Sequence, residues 1–390
     1  MFSERTNWIL EPNMITVLLE SFKNQGVEVI DLTASNPTQC AFKFSHADIL
    51  QAFQKNDNLL YRPSALGHGA ARETVAAYYQ QQGHKISCDQ ILLTASTSEA
   101  YSFLFRLLTS PGDTVLFPRP SYPLFEYLMG LNDVTPQTYS LVYRDRWQLV
   151  VPEFRKAAAS SPKAVIVVNP NNPTGSYLTK EEVAVLNKFC QQQKAAIIAD
   201  EVFFDYHFDD KEGQPSFAGN MEVLTFTLGG ISKTLALPQM KIAWIVATGP
   251  TELVQEALGR LEVIADTFLS VNTPAQNALP EWLALRTPIQ QEIVMRLRRN
   301  RDILMKETAS SSCRVLSAQG GWYAVLQLPK KISEEEFILK LLKEQHVFVH
   351  PGYFFDFADE PYLVLSLLPA EKDFQEGLKR ILGQITKINL

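Results

Sequence analysis

The sequence of 390 residues lacks any uninterrupted apolar run of the roughly 18 residues that a membrane-spanning helix needs. Its net charge is only −6, with 36 basic against 42 acidic side chains, which gives no electrostatic footprint for nucleic acid or an anionic membrane. The first residues carry charges and lack the apolar region of a signal peptide. We therefore expect a soluble, cytoplasmic protein whose partners are small molecules.

Cysteine and histidine are also scarce, and neither forms a metal-binding pattern. The four cysteines are far apart without a CxxC pair, which disfavours a disulfide scaffold and a zinc ribbon and fits a reducing compartment. There is no HExxH motif. His346 and His350 are separated by Val-Phe-Val and followed by Pro-Gly, which favours a strand entering a turn over a helix. We expect no metal site.

Short apolar runs, in contrast, are frequent in a composition that is typical of globular proteins, with 46% hydrophobic and 20% charged residues. Each run is about five residues long and apolar on both faces, which predicts buried strands. The runs are 91–93, 115–117, 164–168, 195–199, 223–228 and 242–247. Helical patterns lie between several runs, and two of them open with capping-box residues, Thr179 with Glu182 and Ser96 with Glu99. The alternation predicts an α/β fold with a mostly parallel sheet covered by helices.

Polar side chains follow five of these runs, at the edge where an open parallel sheet binds its ligands. They are the hydroxyls of Ser96, Thr97 and Ser98, the ring of Tyr122, the amide of Asn172, the carboxylate of Asp200 and the amine of Lys233. Each has a simpler interpretation when taken alone, as a helix cap, a turn residue or a surface lysine. The functional interpretation depends on all of them falling at one edge.

Pyridoxal 5′-phosphate (PLP) is the cofactor that needs these groups in this order. Its phosphate is bound by the N–H groups and hydroxyls of a helix N-terminus, which residues 96–98 supply. Its ring stacks on an aromatic side chain such as Tyr122, and its pyridine nitrogen pairs with a carboxylate such as Asp200. Its aldehyde forms a Schiff base with a lysine, here Lys233, whose amine then acts as a general base.

The order of motifs resembles the fold-type I PLP enzymes, and within them the class I and II aminotransferases. The resemblance covers nearly the whole chain. The motifs that carry it are 32–37 (LTASNP), 61–67 (YRPSALG), 169–175 (NPNNPTG), 200–202 (DEV), 232–234 (SKT), 320–321 (GG) and 350–352 (HPG).

The resemblance implies a role for each matching residue. Lys233 resembles the Schiff-base lysine, Asp200 the partner of the pyridine nitrogen, and Tyr122 the stacking ring. Asn172 resembles the amide that binds the ring hydroxyl and helps to hold the substrate carboxylate. Ser96, Thr97 and Ser98 belong to the phosphate site. Tyr61 resembles the tyrosine that reaches the phosphate of a neighbouring subunit, which implies a homodimer with shared active sites.

We expect the chain to be divided into three parts. Residues 1–44 form an N-terminal segment that packs with the small domain, and 45–276 form the large PLP-binding domain. Residues 277–390 form a smaller α+β domain, since helices and hairpin-like strands alternate there.

The sequence departs from the family pattern at four positions. Phe203 stands where the family usually has a tyrosine that bonds the ring oxygen, so one hydrogen-bond donor is lost. Lys241 replaces a phosphate-binding arginine and keeps its charge without the bidentate fork. Gly230 replaces a common serine. Val364 replaces the arginine that clamps the substrate carboxylate, a contact that valine cannot make.

Three hypotheses follow for the function. The first is an aminotransferase that moves an amino group between an amino donor and a 2-oxo acid in a ping-pong reaction. The second is another PLP enzyme on the same scaffold, such as a β-eliminating lyase or a cyclopropane-forming synthase. The third is a non-catalytic PLP-binding regulator. Because of Val364, either another cation, with Arg5, Arg62 and Arg119 as candidates, binds the carboxylate or the substrate is unusual.

Overall fold

The computed structural model describes residues 1–157, 161–209, 214–330, 333–358 and 361–389. Within these ranges no helix is both long enough and apolar enough to cross a membrane. The helices are α1 (Met14–Gln25), α2 (His46–Gln51), α3 (Gly69–Gln81), α4 (Thr97–Leu108), α5 (Leu124–Leu131), α6 (Val151–Ala157), α7 (Lys180–Gln193), α8 (Ile231–Thr234), α9 (Thr251–Asp266), α10 (Thr273–Ala284), α11 (Arg286–Thr308), α12 (Glu334–Gln345) and α13 (Glu371–Asn389).

The strands form three sheets. The strands are β1 (Ile30–Asp31), β2 (Ile91–Thr94), β3 (Thr114–Arg119), β4 (Thr135–Tyr143), β5 (Trp147–Leu149), β6 (Ala164–Val168), β7 (Ala196–Asp200), β8 (Thr225–Gly230), β9 (Ala243–Thr248), β10 (Arg314–Val315), β11 (Tyr323–Gln327), β12 (Val347–Phe348), β13 (His350–Pro351) and β14 (Tyr362–Ser366). Eight strands build the large sheet in the order β2-β9-β8-β7-β6-β3-β4-β5.

The large sheet is mostly parallel, which confirms the predicted fold class. Strands β2, β3, β4, β6, β7 and β8 run in one direction, while β9 and β5 are antiparallel to their neighbours. All six apolar runs became strands, and every residue of β2, β6, β8 and β9 is buried. Burial on both faces explains why these strands lack the polar alternation of a half-exposed sheet.

The two predicted capping boxes have different outcomes. The box at the start of α7 is complete, because Thr179 and Glu182 bond each other's backbone N–H groups. At the start of α4, the Ser96 hydroxyl accepts from the Glu99 N–H at 3.2 Å. The Glu99 carboxylate, however, accepts from Ala95 N–H at 2.7 Å and from the Ser270 hydroxyl at 2.7 Å, so this box is not closed on Ser96.

A smaller antiparallel sheet in the C-terminal part has the order β10-β11-β14-β13. Helices α11 and α13 contact each other beside it, and the short parallel pair of β1 with β12 joins the N-terminal part of the chain to this region. Strand β14 is buried along its whole length. The chain therefore has a large α/β sheet and a separate small sheet, and its binding edge is defined by the directions of the large-sheet strands.

Candidate functional site

The carboxyl ends of β2, β3, β6, β7 and β8 lie at one edge of the large sheet, because these strands run in the same direction. The residues that follow them include the predicted polar groups from residues 96–98 to Lys233. Strand β9 runs the other way, so Lys241, two residues before it, comes to the same edge. The topology thus gathers the predicted groups from segments that are far apart in sequence.

Lys233 lies on the short helix α8, directly after β8. Its amine is 4.9 Å from the ring centroid of Trp322 and 5.6 Å from that of Phe203. Burial lowers the pKa of this amine to about 8, although the charge of Asp200 opposes the change. A lysine with this pKa has an appreciable unprotonated fraction near neutral pH, which a nucleophile or a general base requires.

Hydrogen bonds to backbone oxygens fix the turn that carries Lys233. The hydroxyl of Tyr206, which is fully buried, donates to the Lys233 carbonyl at 2.5 Å. The Gln290 amide donates to the Thr234 carbonyl at 3.1 Å and to the Asp205 carboxylate at 2.7 Å. A four-residue helix has few internal hydrogen bonds of its own, so these outside donors satisfy its free carbonyls.

Asp200 is the last residue of β7. One carboxylate oxygen accepts from the Val202 N–H at 3.2 Å, and the other accepts from the Tyr101 hydroxyl at 3.1 Å. Burial raises the pKa of this carboxyl to about 6, while these two donors and the Lys233 amine act in the opposite direction. The carboxylate is therefore ionised above about pH 6 and is held by neighbours on both sides.

Tyr101 was not among the predicted site residues. It lies within the apolar part of α4 and has the sequence pattern of a core aromatic residue. Nothing local in the sequence pairs it with a residue 99 positions away.

The loop 169–175 is held by its own side chains and by a close backbone approach. The Asn171 amide donates to the Pro120 carbonyl at 3.2 Å, and its oxygen accepts from the Thr174 hydroxyl at 2.8 Å. A Cβ atom on Gly175, where φ is +67°, would lie 2.4 Å from the Gly320 carbonyl oxygen. Among the described residues, the buried side-chain oxygen of Asn172 has no hydrogen-bond partner.

Phe203 and Gly230, two of the departures from the family pattern, are closely packed against neighbouring residues. The Phe203 ring packs edge to face against Trp322 at 5.2 Å, beside the Lys233 amine. A Cβ atom on Gly230 would lie 2.9 Å from the Cβ of Ala243 on the neighbouring strand. A serine at position 230 would therefore require Ala243 to move.

The remaining predicted cofactor residues lie nearer the surface. Thr97 and Ser98 are half-buried in the first turn of α4, and Tyr122 is 47% exposed just before α5. Lys241 is exposed and has a left-handed φ of 54°. Tyr61 is 81% exposed and lines a surface cleft with Leu93 and Leu269.

The position of the missing arginine is apolar. Val364 is fully buried in β14, opposite Val325 on one side and His350 on the other. Residues opposite each other in antiparallel strands share one face of the sheet. Tyr323 lies on this face, and burial raises the pKa of its hydroxyl to about 12. Its ring centroid lies 6.3 Å from that of Phe355, whose carbonyl accepts from the N–H of Ser121, the residue before Tyr122, at 2.9 Å. The face of Val364 is therefore close to Tyr122.

None of the three candidate arginines is free of an acidic partner. Arg5 forms an ion pair with Asp133. Arg119 forms an ion pair with the Asp356 carboxylate, and its guanidinium also donates to the Asp356 backbone carbonyl at 2.9 Å. Arg62 lies 3.7 Å from the Asp57 carboxylate, with both side chains largely exposed. An arginine that is to bind a substrate carboxylate would have to leave or share its aspartate.

Comparison with known proteins gives a consistent result. The sequence matches the family model of class I and II aminotransferases over residues 27–381. It is 27% identical over 372 residues to an alanine aminotransferase of Mycobacterium bovis, covering 92% of this chain and 85% of the relative. It is 23% identical over 368 residues to the glutamate-pyruvate aminotransferase AlaA of Escherichia coli, covering 92% and 90%. The solved alanine aminotransferase from Pyrococcus furiosus has a TM-score of 0.91 at 22% identity, covering 99% of this chain and 100% of that one.

Proposed function

The chain belongs to the class I and II aminotransferase family and catalyses PLP-dependent transamination between an amino acid and a 2-oxo acid, and we propose that Lys233, Asp200 and Asn172 are its central cofactor residues. The observation that carries the proposal is the gathering of these groups at one edge of the large sheet. The partly deprotonated Lys233 amine and the unpartnered Asn172 oxygen match groups that the aldehyde and the ring hydroxyl of PLP require.

When bound, PLP supplies a conjugated ring that accepts the electron pair released at the α-carbon of the substrate. Lys233 would hold the cofactor through a covalent bond to its aldehyde, and its free amine would move a proton to and from that carbon. Asp200 would hold the proton on the ring nitrogen, because an ionised carboxylate favours a cationic partner. Tyr122 would provide an aromatic face for the ring.

We propose that the phosphate lies at the N-terminus of α4. Backbone N–H groups and the hydroxyls of Ser96, Thr97 and Ser98 offer donors there, and the start of the helix is favourable for an anion. Lys241 adds a positive charge at the same edge of the sheet.

We further propose a homodimer, in which the exposed Tyr61 of each copy reaches the phosphate of the other. Its exposure of 81% supports this proposal, since a tyrosine that served the core of its own chain would be buried. The domain division given by the sequence, and a cytoplasmic location, are also proposed. The four free cysteines are compatible with a reducing compartment.

For the substrate, we propose an amino donor with an apolar side chain that is large enough to be held by contacts other than a carboxylate clamp. The face of the small sheet near Tyr122 carries Val364 and Val325. His350 on that face has its pKa lowered to about 4 by burial, so it is neutral at physiological pH. Arg314 stands at the outer edge of this face, opposite Gln327, and its guanidinium lies over the Tyr143 ring at 5.1 Å. The residues directly opposite Val364 offer no cation to the substrate carboxylate.

Alanine is a second candidate substrate, because the relative from Mycobacterium bovis is named an alanine aminotransferase. Alanine offers only a methyl group to an apolar face. Without a charge-assisted contact to its carboxylate, worth about 1.5–3 kcal/mol, we expect it to bind weakly.

The experiment is a side-by-side measurement of half-reactions. The PLP-loaded protein is mixed with alanine, aspartate, leucine, phenylalanine, tyrosine or simple amines, and the absorbance change on amino-group transfer is followed. We expect the larger apolar and aromatic donors to react with the highest kcat/KM. Efficient and selective turnover of aspartate or alanine would contradict the substrate proposal, and no response to any donor would contradict the assigned site.

A further inference from the structure

We propose that Tyr101 is a positioning residue for Asp200, whose carboxylate it orients and keeps ionised through a hydrogen bond from its buried hydroxyl. The inference rests on the proposed role of Asp200 as the partner of the cofactor's ring nitrogen. It goes beyond that role because it assigns a function to a residue that none of the cofactor motifs contains.

The geometry of Tyr101 leaves its hydroxyl little freedom. The residue is 3% exposed on α4, and its ring packs edge to face against Phe125 at a centroid distance of 5.3 Å. Phe105 lies at 6.0 Å on the same helix. The aromatic neighbours fix the ring, so the hydroxyl meets the Asp200 oxygen at 3.1 Å. A donor held in place loses little entropy on making this bond.

Tyr101 donates throughout the physiological pH range. Burial and the charge of Asp200 raise the pKa of its hydroxyl well above the ordinary tyrosine value, so the proton stays on the tyrosine oxygen. A hydrogen bond donated to a carboxylate favours the ionised form of that carboxylate. The bond therefore works against burial, which favours the protonated acid.

The other charged and titratable groups around Asp200 come from its own strand and from α8. The Lys233 amine favours the ionised carboxylate, and the charge of the neighbouring Glu201 interacts with it unfavourably. The other hydrogen bond to the carboxylate among the described residues comes from the Val202 N–H at 3.2 Å. Lys233 acts through its charge, so Tyr101 is the side-chain donor to the carboxylate among these groups.

The test is the pH dependence of PLP binding to the protein freed of its cofactor, followed by quenching of tryptophan fluorescence. The variants are Tyr101→Phe and a matched control, Tyr139→Phe. Tyr139 is also 3% exposed, and its hydroxyl donates to the Ile166 carbonyl at 2.9 Å instead of to Asp200. Both variants lose one buried hydroxyl, but only the first loses a bond to the carboxylate.

We expect PLP affinity of the unmodified protein to fall as the pH drops through about 6, where Asp200 takes up a proton. In Tyr101→Phe the fall should begin about one pH unit higher, since the loss of a bond to a charged group favours protonation. This shift corresponds to roughly fivefold weaker binding near pH 6 and to binding that is about 1.1-fold weaker, and so almost unchanged, near pH 8. The Tyr139→Phe profile should match that of the unmodified protein.

Asp200→Asn separates a failure of this inference from a failure of the proposed site. If Asp200→Asn leaves PLP binding and its pH dependence unchanged, the role of Asp200 is wrong. If Asp200→Asn abolishes the pH dependence while Tyr101→Phe leaves it in place, only the role of Tyr101 is overturned. An equal shift in Tyr139→Phe would also overturn it. Tyr101→Leu, a second variant without the hydroxyl, should reproduce the shift if Tyr101→Phe does not fold.

Discussion

The edge of the large sheet and the face of the small sheet are two contrasting parts of the proposed site. At the large-sheet edge, a lysine and a carboxylate titrate near neutral pH, with pKa values of about 8 and about 6. On the small-sheet face, Val364 is buried between Val325 and His350, whose pKa is lowered to about 4. Groups that change charge near neutral pH suit proton transfer, whereas a neutral face suits apolar contact.

In the proposed site, cofactor chemistry and substrate recognition therefore belong to separate structural elements. The large-sheet edge contains the residues that we assign to PLP, and its departures from the family pattern include Phe203 and Lys241. The small-sheet face has lost the arginine that the family pattern contains. A change of substrate is thus possible without a change of reaction.

The largest effect is expected when the covalent attachment point is removed from the large-sheet edge. Lys233→Ala should abolish both the borohydride-fixable cofactor adduct and transamination, because it removes the buried amine that we assign to the covalent bond and to proton transfer. Mass spectrometry of the reduced protein measures the adduct, and circular dichroism checks the fold. An adduct that persists on another lysine would contradict the assignment.

A loss of several orders of magnitude in kcat is expected for Asp200→Asn, because a neutral amide does not hold the proton on the ring nitrogen. Asp205→Asn is the matched control, since Asp205 is a carboxylate bonded to Tyr78 and Gln290 in the same region. Turnover of Asp200→Asn within about tenfold of the unmodified protein, or roughly 1.4 kcal/mol of barrier, would exclude the role.

A restored cation on the small-sheet face should have a smaller effect, in the opposite direction. Val364→Arg is expected to lower KM for alanine and aspartate about tenfold, since a hydrogen bond between charged groups contributes roughly 1.5–3 kcal/mol, partly offset by burial of the new charge. Val364→Met is the control for a longer side chain without charge. An equal change in KM for both variants would mean that charge at this position does not determine carboxylate binding.

Prediction from sequence succeeded where the signal is local. The six apolar runs became strands whose ends differ from the prediction by at most two residues, and the capping box at Thr179 formed as predicted. Strand order and direction then placed the groups that follow those strands at one edge. The gathering of these groups at one edge was therefore predictable from segments that are each only a few residues long.

Contacts between distant segments were not predictable in the same way. The pairs Tyr101 with Asp200 and Arg119 with Asp356 are separated by 99 and 237 residues, and each depends on how helices and loops pack. Even at short range, Glu99 bonds Ala95 and Ser270 in place of the N-cap residue. The sequence pattern alone does not distinguish between possible hydrogen-bond partners, and tertiary packing determines which of them is used.

The smallest expected effect is at the outer side of the large-sheet edge, where Lys241→Ala removes an exposed charge. PLP affinity should fall a few-fold at low ionic strength and approach that of the unmodified protein at high salt, because an exposed charge is screened and the helix N–H groups still bind the phosphate. Lys194→Ala is a close control, since Lys194 is also exposed with a left-handed φ of 53°, against 54° for Lys241. Both alanines therefore bear the same backbone strain, and only the charge near the phosphate differs. Titration of PLP at two salt concentrations measures the effect. An affinity loss of equal size in both variants would assign it to the backbone, and no loss in Lys241→Ala would mean that Lys241 does not contact the phosphate.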